Sequence, residues 1–129
     1  MAAVGMLYAY DVGNDKIAIN CDSYLDERKL KGKYRAFAAE LFQGSFTQLE
    51  TIDAAIVKHL NEEWTFDRLG RLERAILRLA GYELLYTQTD SPIIINEAIE
   101  ITKEMADDDA PKLVNGILEA LQKAARTAA

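Results

Sequence analysis

Apolar residues recur at intervals of three and four along most of the chain, which is the spacing of an amphipathic α-helix. The first such segment runs from Ala2 to about Asp11 and ends near Gly13. After a polar, turn-rich stretch over 14–23, we predict a short charged helix from about Tyr24 to Lys31. These two helices would precede the longer periodic segments of the chain.

A long helix is predicted after Gly32, with a second stripe beyond a break near Gly44. The expected buried face of the first stripe consists of Tyr34, Phe37, Ala38, Leu41, Phe42 and Ser45. The second stripe consists of Leu49, Ile52, Ile56 and Leu60. Both follow the three-and-four spacing of a helix that packs on one side.

The clearest helix is predicted to start at a cap formed by Thr65 or Asp67 and to run to about Tyr86. Its narrow apolar arc consists of Leu69, Leu72, Ile76 and Leu79. The opposite side carries a row of cations, Arg68, Arg71, Arg74 and Arg78. This pattern predicts one buried and one cationic face, with Glu83 as an acid in the middle of the apolar stripe.

Two further helices follow a stop signal over 89–92, which contains Asp90, Ser91 and Pro92. The first is predicted from about Ile93 to Ala106, and its core face consists of Ile95, Ala98, Ile99, Thr102 and Met105. The last should begin with Asp109 as its cap and Pro111 in its first turn. Its core face consists of Leu113, Ile117, Leu118 and Leu121. Because no segment alternates like a strand, we predict an all-α fold of about six to seven helices.

Composition restricts the functions that such a fold can have. The chain has 129 residues and a formal net charge of -6, so we expect a single domain that does not coat nucleic acid non-specifically. A single cysteine, Cys21, excludes an intramolecular disulfide and a cysteine zinc cluster. A single histidine, His59, excludes every motif that needs two histidines. There is no membrane-length apolar run and no basic segment typical of a signal peptide. We therefore expect a soluble cytoplasmic protein.

Catalytic chemistry is not indicated. The sequence contains no Gly-rich phosphate loop, no His-Glu-x-x-His pair and no Gly-x-Ser-x-Gly elbow. Cys21 lies in a predicted polar loop beside Asp22, a neighbour that raises the pKa of a thiol. The acidic run over 107–109 is better explained as support for the next helix than as a metal site. We predict a protein that is not an enzyme and has no cofactor and no metal.

Polar residues on the predicted helices leave two interpretations open. Five cations fall within eight residues, Arg28, Lys29, Lys31, Lys33 and Arg35. These cations, and the arginine row of the fifth predicted segment, either contact phosphates or lie on solvated faces balanced by nearby acids. Asn96 and Asn115 interrupt apolar patterns, so their amides either bond locally or contact RNA or another helix.

Three blocks of the C-terminal half resemble the NusB family of bacterial transcription antitermination factors. The blocks are Leu72–Leu84 (LERAILRLAGYEL), Ile95–Lys103 (INEAIEITK) and Asp109–Leu118 (DAPKLVNGIL). Their order and spacing match those of the family over about residues 69–123, whereas 14–60 match only in pattern. The resemblance implies one NusB-like domain over 1–129, with small helical subdomains of about 1–64 and 65–129 as a finer division.

The resemblance also implies partners. Members of the family pair with NusE, a ribosomal protein, bind the boxA element of nascent ribosomal RNA leaders and join the RNA polymerase complex. Glu83 matches the family position that meets NusE, and an acid at that place in an apolar stripe fits a protein interface. Its neighbours Tyr82 and Arg78 would share that surface. A homodimer is a further partner to consider.

The family binds RNA through an arginine-rich N-terminal segment and the start of the last helix. The second element is matched by Lys112, Asn115 and Gly116, with Glu119 in the next turn. Tyr8 matches the aromatic residue that follows the first element, and a tyrosine can stack on an unpaired base. The arginine-rich segment itself is not found, because no Lys or Arg precedes Lys16.

Two alternatives stand beside this reading. NusB-like domains also occur as accessory domains of ribosomal RNA cytosine methyltransferases, and such a domain would serve an RNA-modifying enzyme. A helical, homodimeric scaffold with weak RNA binding would be a third kind of protein. Binding to NusE and boxA RNA distinguishes the leading hypothesis from both.

Overall fold

The structure, a computed structural model, describes residues 2–13, 16–17, 20–60, 69–106 and 109–128, with side chains to residue 125. These ranges contain α-helices and no β-strand, as the all-α prediction requires. The helices are α1 (Ala2–Asp11), α2 (Cys21–Glu27), α3 (Gly32–Thr47), α4 (Leu49–Lys58), α5 (Arg71–Tyr86), α6 (Ser91–Met105) and α7 (Ala110–Ala128). Their number among the described residues is at the upper end of the expected range.

Helix α5 lies at the centre, because its residues 75–81 are all buried and five other helices pack against it. Those neighbours are α1, α3, α4, α6 and α7. Gly81 permits part of this packing: a Cβ there would lie 3.1 Å from Ile52 of α4 and 3.5 Å from Leu121 of α7. Helix α1 packs most extensively on α5, so the described core continues across the predicted subdomain boundary near residue 64.

Helix α2 starts and ends earlier than the sequence pattern predicted. It begins at Cys21 rather than near Tyr24, and ends at Glu27 rather than near Lys31. Its end is set by Lys29, which adopts a left-handed backbone conformation with φ 58°. The N–H of Leu30 then donates to the carbonyl oxygen of Leu25 at 3.1 Å, as in a helix-terminating turn.

The boundary between α3 and α4 lies at Gln48, so the predicted break near Gly44 was wrong. Gly44 lies inside α3, where the absence of a side chain leaves room for the ring of Tyr82. Two residues assigned to the buried face of α3 were also wrong, since Tyr34 is 68% exposed and Phe37 is 53% exposed. The buried part of the helix begins only at Ala38.

Helix α5 starts at Arg71 after Gly70, and the predicted caps Thr65 and Asp67 lie outside the described residues. Helix α6 starts at Ser91, two residues earlier than expected, with Asp90 at its N-cap position and Pro92 in its first turn. Met105, expected in the core, is 52% exposed.

Helix α7 begins directly after Asp109, as predicted, with Pro111 in its first turn. Three predicted core residues, Ile117, Leu118 and Leu121, are buried, whereas Leu113 is only half-buried and Val114 fills the core in its place. Within the described part of the chain, no helix combines the length and the apolar character needed to cross a membrane.

Candidate nucleic-acid interface

The outer face of α7 carries four residues that the sequence singled out. Lys112, Asn115, Gly116 and Glu119 are all exposed and lie on successive turns of the helix. The opposite face is anchored in the core by residues such as Val114 and Leu118, which are fully buried. Because one side of α7 is fixed by packing, the other presents its polar groups at defined positions. We call these four residues the α7 face.

A groove of about 330 Å³ runs beside the α7 face, between α6 and α7. It is lined by Pro92, Ile95, Asn96, Ile99, Asn115, Glu119 and Gln122. Asn96 and Asn115, which are far apart in sequence, therefore lie in one groove with the amide of Gln122. Amides supply both donors and acceptors, which is what recognition of a base edge requires.

A second groove of about 420 Å³ lies on the other side of α7. It contains Lys112 and Gly116 together with His59, Leu60 and Asp109. His59, the single histidine of the chain, is half-buried at the edge of this groove. Asp107 and Asp108, the remaining acids of the run before α7, lie outside the described residues.

Gly116 is notable because no neighbour in the described part of the chain requires it. A Cβ at this position would meet no atom of the described residues within 4 Å. A glycine within a helix costs about 1 kcal/mol relative to alanine. An internal clash therefore does not explain the residue, whereas close approach of an external backbone to α7 would.

Tyr8 lies on α1 and is 42% exposed. It lines a third groove, of about 380 Å³, with Arg71, Leu72, Glu73, Met105 and Ala106. Ala106, the last described residue after α6, lines this groove, and Asp109, three positions later, lines the groove that contains Lys112. The structure thus places the predicted RNA-binding residues in neighbouring grooves rather than in a single one.

The arginine row of α5 does not form a cationic outer face. Arg78 is only 5% exposed, and its Nε and Nη2 each donate to Asp53 of α4 at 2.9 Å. Its Nη1 also lies 3.5 Å from Asp11, the residue to which Arg74 donates at 2.6 Å. Two of the four arginines thus join α1, α4 and α5 internally. Arg71 is exposed, and Arg68 lies outside the described residues.

The cationic segment over 28–35 is divided in a similar way. Arg35 forms ion pairs with Asp22 and Asp26, which fasten α2 to α3. The Arg28 guanidinium lies 4.5 Å from the centre of the Tyr24 ring. Lys29, Lys31 and Lys33 are exposed, so part of this segment is structural and part lies on a solvated face.

The three residues expected to meet a protein partner do not form one patch. Arg78 points inward to Asp53, as described above. Tyr82 stacks on Tyr86, with ring centres 5.6 Å apart, on the side of α5 that faces α3. Glu83 faces a different cleft, towards α1 and α6. Only Tyr82 and Glu83, both near the end of α5, remain accessible in part.

Glu83 lies half-buried in a cleft among the apolar side chains Val4, Ile94 and Ile101. Burial raises its pKa, and the charge of Glu97 in the same cleft raises it further. Glu97 was missed in the sequence, although it follows Asn96 in the second of the blocks quoted above. Two carboxyl groups in an apolar cleft can accept hydrogen bonds or a cation from a partner.

Cys21 is not a surface thiol. It is buried at the start of α2 rather than in a polar loop, and its Sγ donates to the Met6 sulfur at 3.4 Å. Burial is the main reason that its pKa is raised, and Asp22 adds to the effect as expected. The raised pKa keeps this thiol protonated and unreactive.

Comparison with known proteins gives a consistent family. The NusB family profile matches residues 1–123. The transcription antitermination protein NusB of Sulfurovum sp. (strain NBC37-1) is 50% identical over 122 residues, which cover 95% of this chain and 93% of that protein.

Solved structures agree with this match. The T. maritima NusB structure has a TM-score of 0.86 at 33% identity, covering 95% of this chain and 86% of that one. A second similar structure contains antitermination factors NusB and NusE in complex with dsRNA. It has a TM-score of 0.85 at 32% identity and covers 95% of this chain and 92% of that one.

Proposed function

The chain belongs to the NusB family, and from that premise we propose that it is a transcription antitermination factor that binds boxA RNA together with NusE. The observation that supports RNA binding is the α7 face, where Lys112, Asn115, Gly116 and Glu119 are exposed. The observation that supports binding to NusE is Glu83, which places a carboxyl group in an apolar cleft. The two features lie on different helices and line different grooves.

RNA recognition by the α7 face would combine several kinds of contact. Lys112 supplies a cation for a phosphate, and Asn115 supplies an amide for a base edge. Gly116 allows the RNA backbone to approach the helix closely. Tyr8, in the groove that Ala106 also lines, supplies a ring for stacking. Such local contacts suit a short RNA element and are compatible with a net charge of -6.

Contact with NusE would centre on Glu83. An acid that burial makes unfavourable in the free protein gains a hydrogen bond or an ion pair when a donor of the partner enters the cleft. Glu97 lines the same cleft and adds negative charge, while Tyr82 borders the neighbouring side of α5. Arg78 would contribute only indirectly, because its bond to Asp53 holds α5 against α4.

The same proposal covers the remaining properties. The protein acts through binding rather than catalysis and needs no cofactor or metal for that role. It works in the cytoplasm, where it joins the RNA polymerase complex through NusE and the nascent RNA. The whole domain over 1–129 forms one functional unit, with the finer division near residue 64 as an internal feature.

Binding to boxA RNA can be tested by fluorescence anisotropy with labelled RNA and purified NusE at near-physiological salt. We expect tighter binding to boxA than to a scrambled RNA of equal length. Asn115→Ala should reduce the preference for boxA, whereas Gln88→Ala, an exposed amide in the α5–α6 connection, should leave it unchanged. Equal binding of boxA and scrambled RNA by the unmodified protein would reject RNA recognition.

Binding to NusE is tested by a separate measurement without RNA. Titration calorimetry of the chain with NusE should give measurable binding that Glu83→Gln weakens at least several-fold. Glu50→Gln, which changes an exposed acid on α4, is the matched control and should bind NusE normally. If both variants bind as well as the unmodified protein, the Glu83 cleft is not the contact surface.

A further inference from the structure

The groove that contains Tyr8 has a composition that the predicted RNA contacts do not explain. Tyr8 is the only residue of this groove that the family resemblance assigned to RNA. Arg71 comes from the first turn of α5, and Met105 comes from the last turn of α6. Three helices thus bring a ring, a cation and a flexible apolar side chain to one exposed groove of about 380 Å³.

The apolar part of the groove suits a planar base. Tyr8 and Met105 expose 42% and 52% of their surface, respectively, and Leu72 lies between their helices at the start of α5. An unpaired base has two flat faces that stack on aromatic rings regardless of its identity. Met105 adds a polarisable sulfur that adapts to a planar ligand. Large apolar side chains that lie exposed together in a concave site offer an apolar contact surface to a ligand.

The polar part of the groove suits a phosphate. Arg74 and Arg78 on the same helix are bound to Asp11 and Asp53, but Arg71 is exposed at the groove. The nearest acid in the groove, Glu73, lies over Gly70, so its carboxylate is directed at the start of its own helix. An acid in the third helical position is stabilised there by the backbone N–H groups. Arg71 is therefore the cation that the groove offers to an anion.

We propose that this groove binds one nucleotide of single-stranded RNA, with the base against Tyr8 and Met105 and the phosphate at Arg71. The inference rests on the proposed function, because boxA binding would bring an RNA strand to the adjacent α7 face. Ala106 lines this groove, and Asp109, three positions later, lines the groove that contains Lys112 of the α7 face, so residues close in the chain border both grooves. Neither Arg71 nor Met105 belongs to the residues assigned to RNA above.

The test compares two pairs of variants by RNA anisotropy with NusE present. Arg71→Ala is matched by Lys103→Ala, which removes an exposed cation on α6. Tyr8→Leu is matched by Tyr34→Leu, which removes the most exposed aromatic ring of α3. Tyr8→Leu should weaken RNA binding about fivefold or more, and Tyr8→Phe should restore it. Arg71→Ala should make the dependence of log K on log salt shallower by about one.

The outcomes separate this inference from the proposed function. If Arg71→Ala and Tyr8→Leu behave like their controls while boxA is still preferred, the groove proposal is wrong and the function stands. If boxA and scrambled RNA bind equally but both variants weaken each of them, the groove binds RNA and the function is wrong. If the variants weaken NusE binding in the absence of RNA, the groove is a protein interface instead. Thermal melting of each variant establishes that it is folded.

Discussion

Helices α5 and α7 both carry polar residues at helical spacing, but they use them in opposite ways. On α5, Arg74 and Arg78 point inward and bind Asp11 and Asp53. On α7, Lys112 and Asn115 lie exposed on the outer face, which borders two grooves. The same kind of sequence pattern thus fastens helices together in one place and remains available for a ligand in the other.

The difference arises from residues that are remote in the sequence. Asp11 ends α1 and Asp53 lies in α4, so the anions that fix the α5 arginines come from helices that pack around it. Helix α7 packs on one side only and presents its outer face to solvent. A polar row is therefore structural when neighbouring helices supply partners for it, and is a candidate binding surface when they do not.

The largest effect is expected from removing an anion that the α5 arginines need. Asp53→Ala removes both 2.9 Å hydrogen bonds that the nearly buried Arg78 donates to Asp53, and should lower the free energy of unfolding by about 2–4 kcal/mol. Urea denaturation measures the change. Asp22→Ala is the control and should cost much less, because this carboxylate pairs with Arg35 at the surface, where water screens the charges.

This experiment can overturn the comparison. If Asp53→Ala costs no more than Asp22→Ala, the inward arginines are not held by their ion pairs. A second variant, Arg78→Met, removes the charge and keeps much of the volume. It should cost less than Asp53→Ala. Arg78→Met leaves behind Asp53, whose carboxylate is partly exposed to water, whereas Asp53→Ala leaves behind a charged guanidinium that is nearly buried.

The fold was largely predictable, because helical periodicity depends on local spacing. The bounds of α1 and the start of α7 were confirmed. The errors occurred where a distant residue decides the outcome. The α3–α4 boundary was placed at Gly44, but that glycine makes room for Tyr82, which lies 38 residues later. Periodicity likewise assigned Tyr34 and Phe37 to the core, although both side chains are exposed at the start of α3.

The candidate site was predictable only in part. The family blocks pointed to the α7 face and to Glu83 without any coordinates. They did not show that Asn96 lies in the same groove as Asn115, or that Glu97 faces the cleft of Glu83. Those pairings depend on how α6 lies between α5 and α7. They were not visible in the sequence, because periodicity relates positions within one helix and each of these pairs joins two helices.

A second prediction compares a glycine of the core with one of the α7 face. Gly44→Ala places a methyl group against the Tyr82 ring, which also stacks on Tyr86, and should destabilise the protein by about 1–2 kcal/mol. Gly116→Ala meets open space and should stabilise it by about 0.5–1 kcal/mol. Chemical denaturation of both variants measures the two opposite changes.

The same pair of variants distinguishes stability from binding. Gly116→Ala should weaken boxA binding even though the protein becomes more stable, because the added methyl group blocks close approach of the RNA backbone. Gly44→Ala should leave RNA binding unchanged at temperatures where it is folded. If Gly116→Ala binds RNA normally, this glycine does not serve the interface.

The smallest effect concerns Glu83 of α5. Its charged neighbour in the cleft is Glu97, which has the same charge, whereas the inward arginines of α5 are paired with acids of opposite charge. Since burial and Glu97 raise its pKa above the ordinary value of 4.5, the folded state holds the proton more tightly than the unfolded chain. The resulting stabilisation is fully present below pH 4.5 and is lost as the pH rises through the higher pKa of the folded state. At pH 7 the charged carboxylate therefore strains the free protein.

Glu83→Gln should thus raise the Tm at pH 7 by about 1–3 °C, and the gain should disappear near pH 4. Thermal melts between pH 4 and pH 8 measure the trend. Glu119→Gln, which changes an exposed acid of the α7 face, is the control variant. The stabilised Glu83→Gln variant should nevertheless bind NusE less well, since its amide cannot take a cation. A pH-independent gain would mean that the cleft does not raise the pKa of Glu83. The charge of Glu83 would then not destabilise the free protein.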